Sequence, residues 1–148
     1  MQQKPRNTMN RILFDANVLL DFFLKRNKRQ DEINTLFSLV DDGVIIGFVT
    51  TPTLQICAYY LTISKGVDTA KAVLEMIIVN FQLLEGNKKT ITKALKSSQN
   101  DIEDAIQYFI ALENGLDAIV TSDLDFIRLS STSFPIYSPS DLLLALNA

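Results

Sequence analysis

The sequence contains no histidine and only one cysteine among its 148 residues. Without histidine, catalysis by a Ser–His or Cys–His pair has no general base. A single cysteine excludes an intramolecular disulfide, which fits a reducing compartment, and we therefore expect a cytoplasmic protein. Cys57 lies in the apolar run 54–58, so a buried, unreactive thiol is favoured over a nucleophile.

Long apolar runs and an excess of positive charge are also missing. No apolar run approaches the ~20 residues that a membrane span needs, so no membrane association is expected. Residues 1–10 contain Lys4 and Arg6 but no hydrophobic stretch, and they are predicted to be a flexible tail rather than a signal peptide. Because the formal net charge is −3, a polyanionic partner would need a local basic patch or a bridging metal ion.

The composition is typical of a folded globular protein, with 47% hydrophobic and 21% charged residues. A chain of this length is most simply one domain with a proper core, which we place at residues 11–148.

Short apolar runs alternate with segments of helical period along this domain. Thr51 as the N-cap, followed by Pro52 as the first helical residue, predicts the start of one helix, and Gly115 predicts the end of another. Strands separated by helices imply parallel pairing with right-handed crossovers, hence an α/β three-layer sandwich. The predicted strands are 11–15, 44–49, 81–84, 117–121 and 135–137, and the predicted helices are 16–24, 31–41, 52–63, 68–80, 88–96, 101–114, 124–129 and 139–146.

Acidic residues occur at three positions that such a fold would bring to one edge of the sheet. Asp15 closes the first strand, Asp123 follows the fourth, and Asp104 lies in the first turn of the helix between them. Open α/β sheets bind ligands beyond the carboxyl ends of their strands. Grouped carboxylates repel one another unless a cation holds them, and all-oxygen ligation suits Mg²⁺ or Mn²⁺. We therefore predict that Asp15, Asp104 and Asp123 hold a divalent metal and carry the chemistry.

Several acidic residues also have a structural interpretation. Asp15 could cap the helix that follows it, and Asp101 is expected to cap its own helix while supporting the metal site. Asp125 is either a further supporting acid or the cap of the short helix near 124–129. Glu103 is expected in a capping box or at the surface, and Asp21 is expected to face solvent.

Other side chains are candidates for supporting roles. Asn17 could orient Asp15, bind substrate or form a local turn, and Thr121 could hydrogen-bond a ligating carboxylate or simply end its strand. The basic segment 25–29 either contacts phosphates or forms a solvated loop. Tyr59 and Tyr60 are candidates for base stacking, for a partner surface or for packing.

Three segments, 14–21, 101–107 and 119–126, together resemble the PIN-domain family of metal-dependent ribonucleases, which includes toxins of bacterial toxin–antitoxin pairs. The resemblance extends from about residue 11 to 146. It implies a parallel sheet of order 3-2-1-4-5, endoribonuclease activity with Mg²⁺ or Mn²⁺, an RNA substrate and an antitoxin protein as partner. It also implies that Asp15, Asp104 and Asp123 are the metal-site acids, supported by Asn17 and Thr121.

The chain departs from the family pattern at one position. Many members carry another acid early in the helix after the second strand, where this sequence has Gln55 and Ile56. The spacing also leaves open whether Asp123 or Asp125 is the ligand. The alternative to a nuclease is therefore a catalytically degenerate module that binds RNA or protein. An aspartyl phosphatase with Asp15 as its nucleophile is disfavoured, because that chemistry requires a second acid at the position occupied by Asn17.

Two apolar helical faces offer a surface for an expected homodimer. They carry Leu36, Phe37 and Val40 on one helix and Val73 and Ile77 on another. Burial in the core of the domain explains the same faces equally well.

Overall fold

A computed structural model describes residues 9–147, so most of the predicted tail at 1–10 lies outside the described part. All five predicted strands and eight predicted helices are present in the predicted order. The elements are β1 (Arg11–Phe14), α1 (Ala16–Leu24), α2 (Gln30–Asp41), β2 (Ile46–Thr50), α3 (Thr51–Lys65), α4 (Val67–Asn80), β3 (Gln82–Leu84), α5 (Lys88–Lys96), α6 (Ile102–Glu113), β4 (Ala118–Val120), α7 (Leu124–Ile127), β5 (Ile136–Tyr137) and α8 (Pro139–Leu146).

The five strands form one parallel sheet in the order β3-β2-β1-β4-β5, as the resemblance implied. Leu13 of the central strand aligns with Phe48 of β2 on one side and with Ile119 of β4 on the other. Chain order reverses between β1 and β4, so the connections leaving these two strands diverge and open a crevice at their carboxyl ends. Asp15 and the turn after β4 flank this crevice.

The core lies on both faces of the sheet. Ile12 and Phe14 of β1 belong to one buried cluster, whereas Leu13 between them belongs to the other. This division follows from the alternation of side chains along a strand, and burial on both faces explains why β1 reads as a continuous apolar run. All three side chains are fully buried, and each contributes about 1.5–3 kcal/mol to stability.

Helix ends differ from the sequence prediction by small shifts. The side chain of Thr50, not Thr51, caps α3 by accepting a hydrogen bond from Thr53 N. Thr51 is itself the first helical residue, because the strand before it runs directly into the helix. Gly115 follows α6 with a φ of +66°, which confirms the predicted helix end.

The apolar faces considered for a homodimer belong to the core. Leu36, Phe37 and Ile77 are buried, and Val40 and Val73 pack half-buried against the same cluster. A homodimer would therefore use other surfaces. In the part of the chain from residue 9 to 147, no helix is both long enough and apolar enough to span a membrane.

Candidate active site

Asp15 sits at the junction between β1 and α1. Its backbone is extended, and its carboxylate accepts a hydrogen bond from Ala16 N (2.8 Å), so it caps α1. Its own N–H donates to Val120 O (3.0 Å), which ties the junction to the end of β4. The residue is only 7% exposed. The capping and site interpretations of Asp15 are thus compatible, because the cap faces the crevice.

Four donors surround the Asp15 carboxylate. Oδ1 accepts from Ala16 N (2.8 Å) and Gln107 Nε2 (3.3 Å), and Oδ2 accepts from Thr121 Oγ1 (2.7 Å) and Asn17 Nδ2 (3.2 Å). Hydrogen bonds to an ionised carboxylate favour the charged form and are stronger than neutral ones. The network therefore holds the Asp15 carboxylate in one orientation.

Thr121 joins Asp15 to the turn that carries Asp123. Its fully buried hydroxyl donates to Asp15 and accepts from Asp123 N (3.1 Å) and Asn17 Nδ2 (3.3 Å). Asn17 Oδ1 also accepts from Ser122 N (3.0 Å). The two predicted supporting residues therefore fix the position of the turn after β4 relative to Asp15.

The start of α6 supplies the acids on the other side of the crevice. Asp101 caps α6 as predicted, accepting a hydrogen bond from Asp104 N (3.0 Å). Asp104, in the first helical turn, is buried at 6% exposure. Gln107 follows three residues later on the same face and reaches Asp15, so α6 and β1 meet at this edge of the sheet.

An open pocket of about 910 Å³ is lined by Asp15, Asn17, Asp101, Asp104 and Asp123, but not by Thr121 or Gln107. Its acidic lining extends the predicted set by Glu103, which is exposed but faces the same space as the others. The carboxylates in the lining are Asp15, Asp101, Glu103, Asp104 and Asp123. All three predicted metal acids are therefore brought to one pocket.

Burial, together with the surrounding negative charge, raises the pKa of Asp104 from 3.8 to about 7. Burial is the largest cause, followed by the charges of Asp101, Asp15, Asp123 and Glu103. The pKa of Glu103 is raised too, by burial and then by Asp15 and Asp101. Such a pocket favours a bound cation, because a cation would relieve this repulsion.

The acids surround the pocket without forming a ready-made cage. Among residues 9–147, no three Asp, Glu, Cys or His side chains stand close enough together to hold a metal ion. Four donors already approach the two oxygens of Asp15, which offer roughly four lone-pair sites. Mg²⁺ commonly binds through one or two carboxylates and keeps several waters. The lining therefore fits a hydrated divalent ion better than a fully protein-ligated one.

The structure separates Asp123 from Asp125. Asp123 lines the pocket and caps α7 by accepting from Asp125 N (3.0 Å), so the alternative that Asp125 is the cap is wrong. The Asp125 side chain is 76% exposed and pairs with Arg128 at 3.1 Å. Residues two apart at this strand-to-helix turn point in different directions, and only Asp123 points into the crevice.

The prediction that Asp21 faces solvent is wrong. Asp21 is 7% exposed and accepts hydrogen bonds from Arg26 Nε (2.6 Å) and Asn27 Nδ2 (2.8 Å). The loop after α1 folds back over this residue, which could not be foreseen from the helical pattern. Arg29 is likewise paired, with Glu32 at 3.4 Å. Two of the four basic residues in the 25–29 segment are therefore neutralised locally.

The wall formed by α3 carries no charge. Gln55 and Ile56, at the place where the resemblance implied a further acid, both line the pocket together with Tyr59 and Tyr60. The two tyrosine rings pack edge to face at 5.2 Å and are largely exposed. Cys57 is fully buried behind them, and burial followed by the charge of Asp15 raises its pKa to about 12. The thiol is protonated and inert, as expected.

Gln107 is the residue of this site that the sequence pattern did not single out. It is 2% exposed, and its Oε1 has no hydrogen-bond partner among the described residues. The amide must turn Nε2 toward the Asp15 carboxylate, because the reverse orientation would bring two acceptors together. A polar residue three positions after Asp104, within the buried face that includes Ala105 and Ile110, was the available signal.

Comparisons with known proteins place this geometry in a family. The sequence profile of the PIN domain matches residues 11–125, which include all three predicted metal acids. No curated protein matches the chain.

Solved structures share the fold at low sequence identity. The toxin VapC20 of Mycobacterium tuberculosis, described as cleaving the sarcin–ricin loop, superposes with a TM-score of 0.66 at 12% identity, over 82% of this chain and 97% of that chain. VapBC2 of Rickettsia felis, bound to a promoter DNA fragment, gives 0.64 at 13%, over 86% and 98%. DNA-bound VapBC of Salmonella typhimurium gives 0.65 at 17%, over 88% and 99%. The profile match over most of the chain, on a sheet of the expected order, means that this protein belongs to the PIN-domain family.

Proposed function

We propose that this protein is an endoribonuclease that depends on Mg²⁺ or Mn²⁺. The observation that carries the proposal is the grouping of five carboxylates around one pocket, where burial and then the neighbouring charges raise the pKa of Asp104 to about 7. A protein gains nothing in stability from such a group. Clusters of this kind with perturbed pKa values mark functional sites.

Asp15, Asp104 and Asp123 are the residues that would hold the ion, through one or two of their carboxylates and through water. A bound divalent ion would supply a water of lowered pKa and charge stabilisation at a phosphodiester. Asp15 is held for this role by its four donors. Thr121 and Asn17 fix the turn that carries Asp123 relative to Asp15. Tyr59 and Tyr60, exposed on the opposite wall, offer apolar faces to unstacked bases.

The biological setting is proposed by analogy. One similar structure is a toxin described as cleaving the sarcin–ricin loop, and two others are VapBC assemblies bound to DNA. On this basis we propose a toxin-type nuclease of the cytoplasm, controlled by an antitoxin protein. Because the fold tolerates many functions, the RNA target must be found by experiment.

The test is cleavage of single-stranded RNA by the purified protein with and without Mn²⁺. We expect cleavage that EDTA abolishes and that Asp15→Asn reduces by at least a hundredfold. Asp125→Asn is the matched control, because this acid lies two residues from Asp123 but outside the pocket lining. Equal activity of Asp15→Asn and Asp125→Asn would contradict the proposal.

One observation favours a second candidate, a binding module without catalysis. Gln55 contributes a neutral amide to the wall where the resemblance implied an acid, and within the described residues no three acids stand close enough together to hold a metal ion. This alternative predicts RNA or protein binding with no metal-dependent cleavage. A Mn²⁺ binding isotherm that disappears in Asp104→Asn would argue against it.

A further inference from the structure

The surface of α5 differs in charge from the rest of the molecule. Four of the nine lysines in the chain lie on this nine-residue helix, at positions 88, 89, 93 and 96. The helix contains no acidic residue. These four charges contrast with a formal net charge of −3, so the remainder of the chain carries −7. The helix α5 is therefore one of two local concentrations of positive charge, the other being the segment 25–29.

The four lysines share one face of the helix. Residues 88, 92 and 96 are four apart and therefore lie one above the other on the helix, and residues 89 and 93 lie beside them. A single groove is lined by Lys88, Lys89, Thr92, Lys93 and Lys96. The opposite face carries the buried Thr90 and Ala94, which anchor α5 against α6. The basic face is thereby held toward solvent on a rigid element.

Most of this charge is not neutralised. Lys93 Nζ pairs with Glu113 Oε1 at 2.8 Å, and this contact and the hydrogen bond from Thr90 lower the pKa of Glu113. Within the structurally described part of the chain, Lys88, Lys89 and Lys96 make no ion pair. The basic segment 25–29 has fewer unpaired positive charges than α5, because Arg26 and Arg29 both form ion pairs.

The position of α5 relates it to the acidic pocket. Lys96 ends the helix, and only five residues further along the chain Asp101 lines the pocket. Five residues span at most about 18 Å, so the basic face ends within that distance of the start of α6. Lys89 and Lys96 are separated by about 10 Å along the axis, roughly three phosphate steps of a stacked strand.

The pocket is lined by five carboxylates and by one cation, Arg26, which is paired with Asp21, so it repels a polyanion. The net charge of the protein repels it as well. A substrate with a phosphate backbone therefore needs attraction from another surface close to the pocket. We propose that the lysine face of α5 binds the phosphate backbone of single-stranded RNA and leads it toward the pocket. This inference rests on the proposed function for the identity of the polyanion.

Binding can be tested separately from cleavage. The affinity of the full chain for a fluorescent single-stranded RNA is measured by anisotropy in EDTA, across a range of KCl concentrations. The variant K89Q/K96Q removes two unpaired lysines, and K65Q/K71Q removes two exposed lysines at other helices with the same change in net charge. Thermal unfolding followed by circular dichroism checks that all variants are folded.

The expected size follows from counterion release. Each phosphate contact on a single strand contributes about 0.7 to the slope of log K against log salt, so K89Q/K96Q should lower the slope by about 1.4. Between 1 M and 0.1 M salt, a slope that is lower by about 1.4 corresponds to an affinity about 25-fold weaker than that of the wild type at 0.1 M. K65Q/K71Q should retain the affinity and slope of the wild type.

Equal losses in the two variants, or no loss in either, would overturn the inference. So would the absence of RNA binding by the wild type, which would instead favour an acidic protein segment as the partner of α5. Cleavage with Mn²⁺ distinguishes this failure from failure of the proposed function. If the wild type cleaves RNA and K89Q/K96Q has unchanged kcat/KM, the α5 proposal fails and the nuclease stands. If the wild type binds through α5 but never cleaves, the nuclease fails and the α5 proposal stands.

Discussion

Replacing Asp104 with asparagine should stabilise the metal-free protein and at the same time remove its response to divalent metal. Asp104 is buried beside four other carboxylates, and burial and their charges raise its pKa to about 7. Its side chain makes no hydrogen bond among the described residues, so the substitution removes charge repulsion without breaking a contact. Asp104 therefore lowers the free energy of unfolding of the metal-free protein, and it contributes favourably only when a cation is bound.

The magnitude follows from the pKa. A rise from 3.8 to about 7 corresponds to an upper limit of about 4 kcal/mol at neutral pH. Solvent in the open pocket screens part of the repulsion, so we expect Asp104→Asn to gain about 1–2 kcal/mol. For a domain of this size the gain raises Tm by roughly 5 °C.

The gain should depend on pH with a defined sign. Between pH 3.8 and about 7 the folded protein keeps a proton on Asp104 that the unfolded chain releases, so this group lowers stability as pH rises. Above pH 7 the penalty is complete, and below about pH 4 both states are protonated. The advantage of Asp104→Asn should therefore be largest above pH 7 and vanish near pH 4.

The assay is thermal unfolding at several pH values, with and without Mn²⁺. Metal at ten times its Kd should stabilise the wild type by about 1.4 kcal/mol, and Asp104→Asn by much less. Asp68→Asn is the control, since Asp68 also occupies the first turn of a helix but is exposed. A destabilised Asp104→Asn, or one stabilised equally at pH 4 and pH 8, would refute the reasoning.

Three further substitutions test the site and the core. Thr121→Val removes the shortest hydrogen bond to Asp15 (2.7 Å), so Mn²⁺ affinity measured by calorimetry should fall 10–100-fold, whereas Thr121→Ser should keep it. Gln107→Leu should also weaken Mn²⁺ binding, but with little loss of stability because the unpaired Oε1 is removed too; a loss above about 3 kcal/mol would contradict this account. Gly47→Ala would place a Cβ 2.5 Å from the Phe81 ring and should cost about 1–3 kcal/mol in urea unfolding. Unchanged stability would contradict this account, because it would mean that the Phe81 ring moves aside at no cost in free energy.

The layout of the fold was largely predictable from local pattern. Apolar runs such as β1 alternate with helical periods, and this alternation alone favours a parallel sheet with helices on both faces. The order of the strands was not contained in that pattern, because each run is apolar enough to occupy any central position. It was predicted only through the resemblance to a family.

The candidate site was predictable in part, for a similar reason. Acids at the end of β1, after β4 and at the start of α6 are visible in the sequence, and parallel topology brings these places together. The hydrogen bond from Gln107 to Asp15, the place of Glu103 in the pocket lining and the burial of Asp21 were not visible. These depend on which helix faces meet and on how the loop after α1 folds back.

Residue type, apolar period and charge are local properties of the sequence. They suffice to establish that the chain is acidic, that it has an α/β fold, and that acidic residues stand at the ends of its strands. The proximity of those carboxylates is not local. Asp15 and Thr121 are 106 positions apart in the chain yet share a 2.7 Å hydrogen bond. Burial and Coulomb repulsion act through space rather than along the chain. For this reason the pKa of Asp104, the four donors around Asp15 and the pocket itself arise only once β1, β4 and α6 have packed together.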